Sequence, residues 1–198
     1  MIKTRLSSSF LFLVSLSFIL TSLTVANGQN RTVQAEAERI SGDKFAVQLR
    51  TPLGANVYAI TRPNAQTLNA IDKGLTDLFA VARKNHYRNR LNYSDYSIYI
   101  GKADRDKDSA GQYSPDIAIA AAQYAGTVFD KGGYIYAAGI VVALNPCAFL
   151  IAEHTKNYDR ISNAVRYEGE HLVLYHNDRQ RYAATADHSK GGTHPILQ

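Results

Sequence analysis

Residues 64–82 read NAQTLNAIDKGLTDLFAVA, and residues 93–100 read YSDYSIYI. In the first stretch Leu68, Ile71, Leu75, Leu78, Phe79 and Ala82 recur at helical spacing along one face. Asn64, directly after Pro63, can accept hydrogen bonds from the amides of a first turn, so a helix should open there. In the second stretch polar and apolar residues alternate up to Ile100, which is the period of a strand. A helix running into a strand, with strand signals on both sides, puts the fold in the α/β or α+β class.

Toward the N-terminus, Phe45 to Leu49 and Ala55 to Thr61 are β-branched and aromatic runs bounded by Pro52, Gly54 and Pro63, the pattern of two strands joined by a short turn. Residues 29–44 are polar and read as an extended lead-in with at most a short helical turn. Toward the C-terminus, Ile117 to Ala122 and Tyr134 to Leu144 flank Gly132 and Gly133 and read as central strands, or as a hairpin turning near Gly132. After Asn145 and Pro146, Ala148 to Ile151 makes a short further segment, and a second helix spans about Asp159 to His176. The expected architecture is a mixed or mainly antiparallel sheet of about five strands with an early helix and C-terminal helices.

Lys3 and Arg5 precede a mostly apolar stretch from Phe10 to Val25, and Ala26 and Gly28 follow it. This is the layout of a cleaved secretory signal, so residues 1–28 are expected to be a leader and 29–198 a single globular domain, secreted, periplasmic or extracellular. Ser15, Ser17, Thr21 and Ser22 interrupt the apolar run, and a bilayer-spanning helix needs about 20 predominantly apolar residues, so no membrane span is expected after cleavage. Loss of Lys3 and Arg5 lowers the formal charge from +5 to +3, which argues against nucleic acid as a partner. Cys147 is the only cysteine and cannot form an internal disulfide, leaving packing or a bound ion to stabilise an exported chain. Thirteen tyrosines and no tryptophan suit half-buried strands or a surface that contacts peptide or glycan.

The chemistry-bearing residues gather late. His154, His171, His176, His188 and His194 share the last 46 residues with Glu153, Glu168, Glu170, Asp178 and Asp187. Imidazole and carboxylate are the donors that zinc or iron requires. On a wheel of 100° per residue, Ile161, Val165, Glu168, Leu172 and Tyr175 form one stripe with His171 at its edge, while Glu170 falls on the opposite, solvent side. A carboxylate facing a core needs a partner, so Glu168 demands one: a cation shared with His171, or otherwise an arginine or tyrosine. Gly191 and Gly192 separate His188 from His194 and would let the tail fold back over the helix; a frayed terminus is the alternative.

Tyr167-Glu168-Gly169-Glu170-His171 resembles the H-E-x-x-H helix of zincin metallopeptidases, with Tyr167 where that helix has its first histidine. The order of elements, an early helix and a sheet before this helix, is also similar to that family. The resemblance implies zinc held by His171 with His188 or His194, Glu168 as general base, and Tyr167 or Tyr175 orienting substrate or stabilising an oxyanion. The inverse H-x-x-E-H pattern would need Glu170 to face inward, and an E-x-x-H di-iron helix would need a matching second helix.

Two weaker motifs stand outside that helix. Asp104, Asp106 and Asp108 alternate as in a calcium loop, although Ser109 and Pro115 occupy the positions of its glycine and glutamate. Cys147 could begin a helix and be a nucleophile, or be core among Ala148, Phe149 and Leu150. The functional expectation is an exported metal-dependent hydrolase of zincin-like peptidase type. The alternative is a non-catalytic extracellular module that binds peptide or glycan and keeps a structural acid–histidine cluster.

Overall fold

The computed structural model describes residues 31–102, 117–120, 130–131, 134–137, 139–154, 157–187 and 192–197. The expected leader, the Asp104, Asp106 and Asp108 loop, and His188 lie outside them.

Residues 31–41 form helix α1. They are not the extended lead-in that their polar composition suggests. Val33, Ala37 and Ile40 recur at helical spacing and are buried, while Glu36 pairs with Arg39 at 2.6 Å and Gln34 donates to Glu38 at 3.1 Å along the outer faces. The polar residues satisfy one another one turn apart, so few apolar side chains suffice to dock the helix.

Strands β1 (Val47–Arg50) and β2 (Asn56–Ala59) form an antiparallel hairpin. Its turn is closed by Thr51 Oγ1, which accepts from the Ala55 amide at 2.9 Å, and by Gly54 at φ +103°. Helix α2 (Ala65–Lys84) follows, its Asn64 cap accepting from the Thr67 amide at 2.8 Å. Strand β3 (Tyr96–Gly101) then runs parallel to β2, completing a β–α–β unit. The basic end of α2 opposes the negative end of its dipole with Arg83 and Lys84, and Arg90 is tied to Asp95 at 3.2 Å.

Beyond β3 come β4 (Ile117–Ala120), β5 (Asp130–Lys131), β6 (Tyr134–Ala137), β7 (Gly139–Ala143) and β8 (Cys147–Ala152). The main sheet has five strands in the order β1-β2-β3-β8-β7, with β2, β3 and β8 parallel and the two edges antiparallel to their neighbours. This is the mixed sheet anticipated from the sequence. Its membership differs in one respect: β4 and β6 pair in a separate three-stranded antiparallel sheet with β5, and the 134–144 run divides between that sheet and edge strand β7. The inner position goes to 147–152, in which all six residues are buried. A strand covered on both faces reads as a continuous apolar run, and CAFLIA is such a run.

Helices α3 (Tyr158–Asn177) and α4 (Arg179–Thr185) close the chain before a short tail. Alternation along the inner strands divides the core into two layers. Val57, Ile98, Ile100, Phe149 and Ile151 face α2 and α3, whereas Tyr58, Tyr99, Ala148 and Leu150 face α1. Cys147 lies in the first layer within β8, not at a helix start, and burial pushes its thiol up to about 12. That removes the nucleophile reading, because a thiol so protonated supplies almost no thiolate near neutral pH. Among the described residues no helix is long and apolar enough to cross a membrane.

Candidate functional site

The site is built on α3, whose approach to α2 is set by glycine. A Cβ on Gly74 would stand 2.5 Å from the Ser162 carbonyl, and one on Gly169 would stand 2.5 Å from Leu78 Cδ2. With both absent the helices close on each other, and the residues on either side of Gly169 are turned away from α2. Glu168 goes toward the edge of the sheet, where it lies so near β7 that a Cβ on Gly139 would be 2.7 Å from its Cγ. Glu168 is only half-buried, yet its carboxyl is hemmed in enough that burial pushes its pKa up to about 8. Among the described residues no cation or hydrogen-bond donor offsets that effect. The wheel reading of an inward acid therefore holds, and no arginine or tyrosine among the described residues is seen to satisfy it.

Glu170 corrects the expectation of a solvated residue. It is completely buried, its Oε2 lies 3.1 Å from His194 Nδ1, and its Oε1 accepts from the Ile196 amide at 3.0 Å. The wheel assigned its direction without knowing what covers that side of α3. What covers it is the tail. Ile196 is buried in the core layer shared by α2 and α3, and Arg166 Nη2 donates to the Leu197 carbonyl at 3.2 Å. Gly192 makes the return possible, since its amide bonds the Asp187 carbonyl at 3.0 Å and a Cβ there would run into the Thr185 carbonyl. The apolar Pro195-Ile196-Leu197 at the end of a polar tail was the sequence signal for this docking.

The docked tail brings His194 to α3. Its ring centre is 4.9 Å from that of His171 and 4.7 Å from that of Tyr167. His171 is nearly buried, whereas Tyr167 is 42% exposed at the lip. Among the described residues, His171 and His194 are the late histidines whose rings are seen to meet. His154 is buried just after β8, and His176 meets the Leu144 carbonyl at 2.7 Å. Tyr175, one turn beyond His171, is occupied elsewhere: the Arg179 guanidinium sits 3.3 Å from its ring centre, and Tyr182 packs edge-on at 5.2 Å.

The chain matches no family model, no curated protein and no solved structure.

Among the described residues no three His, Cys, Asp or Glu side chains are grouped to hold a metal ion. The pair of imidazoles nonetheless has the right separation for one. Two imidazoles bound tetrahedrally at 2.0–2.1 Å have ring centres about 5 Å apart, and His171 and His194 are 4.9 Å apart. The Glu170 carboxylate on His194 Nδ1 helps to hold that imidazole in its place against α3.

Proposed function

We propose that this protein is a metal-dependent hydrolase that cleaves peptides bound in extended form. The observation that carries the reading is the meeting of two imidazoles from distant parts of the chain, His171 and His194, on the helix that also carries Glu168, a carboxyl with no partner shown among the described residues. His171 and His194 would hold the cation, zinc by the resemblance of the helix. When bound, such a cation supplies Lewis-acid polarisation of a substrate carbonyl.

The chain's own residues would do the remainder. Glu168, with a pKa near 8, takes the proton of the attacking water and returns it to the leaving amine, since a base tuned close to working pH serves both directions. Glu170 cannot be that base, because both its oxygens are engaged by the tail; it holds His194 in place. This disfavours the inverse H-x-x-E-H arrangement although Glu170 faces inward. Edge strand β7 runs beside Glu168 and, among the described residues, pairs only with β8, so an extended peptide would add to the sheet there.

Tyr167 in place of a first histidine favours a second reading, a non-catalytic exported module in which the cluster is structural and the partner is a peptide or glycan. Hydrolysis of a peptide library by chelator-stripped, zinc-reloaded protein separates the two. On the hydrolase reading, Glu168→Gln retains the cation and loses activity by about 10²–10⁴-fold, while His171→Ala loses the cation itself. Unchanged hydrolysis in Glu168→Gln would sink the catalytic reading.

A further inference from the structure

We propose that the end of the molecule at which α2 and α3 finish is a docking surface for an acidic peptide segment. The choice of a peptide as occupant rests on the reading of an extended peptide along β7; the surface itself does not.

Helices α2 and α3 run side by side in the same direction. Gly74 faces Ser162 and Val165, Gly169 faces Leu78, and the loop after α2 meets the end of α3. There Asn177 Oδ1 accepts from the amides of Arg88 and Asn89 at 2.9 and 2.8 Å, its Nδ2 donates to the Asn89 carbonyl at 3.0 Å, and the Tyr87 hydroxyl donates to Asp178 at 3.1 Å. This joint gathers Arg83, Lys84, Arg88 and Arg90 beside Arg179 and Arg181, all of them exposed, from segments that the Arg88–Asn177 bond links across 89 residues of sequence. His86 and Arg90 hold φ of +63° and +57°, so side chains are kept on the loop where its backbone favours glycine.

The charge exceeds what the fold itself calls for. Six cations against Asp95 and Asp178 leave +4, most of the formal +5 of the whole chain. Arg90 pairs with Asp95 at 3.2 Å and Arg181 with Asp178 at 3.9 Å, whereas among the described residues no carboxylate is paired with Arg83, Lys84, Arg88 or Arg179. The C-termini of two helices present together about one negative charge, so compensation of their dipoles accounts for a minor part. Arg179 and Arg181 lie moreover in the first turn of α4, the positive end of a helix dipole, where a cation is disfavoured.

The occupant follows from chemistry and position. All the cations but Lys84 are arginines, whose planar forks hold a carboxylate through two parallel bonds. A bilayer takes up apolar side chains as well as charge, and the exposed large hydrophobics among the described residues lie elsewhere, Leu53 in the β1–β2 turn and Tyr167 ten residues before Asn177 on α3. A peptide is favoured by the course of β7. Its first residue, Gly139, abuts Glu168; just past its last, the Leu144 carbonyl meets His176 at 2.7 Å and Asn145 Oδ1 accepts from Arg90 at 3.3 Å. A peptide laid along β7 from Glu168 therefore reaches the cations after about five residues, roughly 17 Å at about 3.4 Å each.

The test measures binding of two fluorescent peptides to the full chain carrying Glu168→Gln, one peptide with a run of glutamates at one end and the other with glutamines in their place. The glutamate peptide should bind at least about tenfold more tightly, and the difference should fade as salt is raised to about 0.5 M. Arg88→Glu combined with Arg179→Glu should weaken it at least about tenfold. Arg31→Glu combined with Arg62→Glu makes an equal change in net charge at exposed positions away from this end and should leave binding unchanged. Circular dichroism establishes that each variant is folded. Equal binding of the two peptides, or equal losses in the two pairs of variants, overturns the docking surface. Tighter binding of a polyuronate, or of phosphatidylserine-containing vesicles, lost in the Arg88 and Arg179 pair, overturns the peptide as occupant. Acidic peptides held here but cut by no metal-loaded preparation support the surface and remove the hydrolase reading. Cutting that ignores both the acidity of the peptide and the Arg88 and Arg179 reversal removes the surface and leaves the hydrolase.

Discussion

Two glutamates two residues apart on α3 have opposite circumstances, and those circumstances assign their roles. Glu170 is wholly buried with both oxygens bonded, whereas Glu168 is half-buried and has no partner shown among the described residues. For Glu168 the folded-state pKa of about 8 exceeds the ordinary glutamate value near 4.3. Between those values the folded chain keeps a proton that the unfolded chain has lost, so stability of the metal-free protein falls as pH rises through this window and levels off above it. Glu168→Gln should therefore be nearly neutral at pH 5 and more stable than the parent by about 1–3 kcal/mol at pH 8. Thermal melts of chelated protein at both pH values measure this. Equal shifts at both would mean that the acid is not desolvated.

The wheel placed Glu168 correctly because direction follows from helical period alone. It failed at Glu170 because burial depends on what lies opposite, and here that is a segment more than 20 residues away in sequence. The period of α3 does not carry that information; the apolar Ile196 and Leu197 of the tail were its one sign in the sequence. The same limit applies to Tyr175, which the stripe assigned to the site but which Arg179 and Tyr182 engage instead.

At the scale of elements, the tail and the α2–α3 contact are the two joints on which the site depends. Glu170→Ala removes both tail bonds to that carboxylate, leaving Ile196 and Arg166 to hold the segment. Cation affinity should drop about 10–100-fold, as on loss of an outer-shell partner, and limited proteolysis should cut within residues 186–197 where the parent resists. A resistant tail with unchanged affinity would show that Glu170 is not its anchor. At the helix pair, Gly74→Ala gains up to about 1 kcal/mol of helix propensity but meets the Ser162 backbone carbonyl at 2.5 Å, and overpacking of that kind costs about 1–3 kcal/mol. Because backbone cannot rotate aside, the net change in urea denaturation should be destabilising. Gly169→Ala meets only the end of the Leu78 side chain and should be close to neutral. The reverse ranking would contradict the packing described.

The whole molecule is organised around β8, which touches both core layers. Phe149, fully buried and facing α2 and α3, should cost about 3–5 kcal/mol when replaced by alanine. That is a large part of the roughly 5–15 kcal/mol by which a domain of this kind is stable, and denaturant titration reads it directly. A loss under 1 kcal/mol would place the centre of the core elsewhere.

From residues alone it followed that the chain is α and β mixed, that α2 begins after Pro63 with Asn64 as its cap, that a strand lies along 93–100, where β3 is found at 96–101, and that Glu168 turns inward. These are consequences of local period, capping chemistry and side-chain polarity, which act within a few residues of one another. Tertiary structure alone decided that 147–152 is an inner strand while β4 and β6 leave for a second sheet, that 31–41 is helical, that Glu170 is buried, and that His194 rather than His154 or His176 meets His171. Each of these depends on contacts between segments far apart along the chain, where the gain from burying apolar surface chooses the partner and the sequence of either segment does not name it.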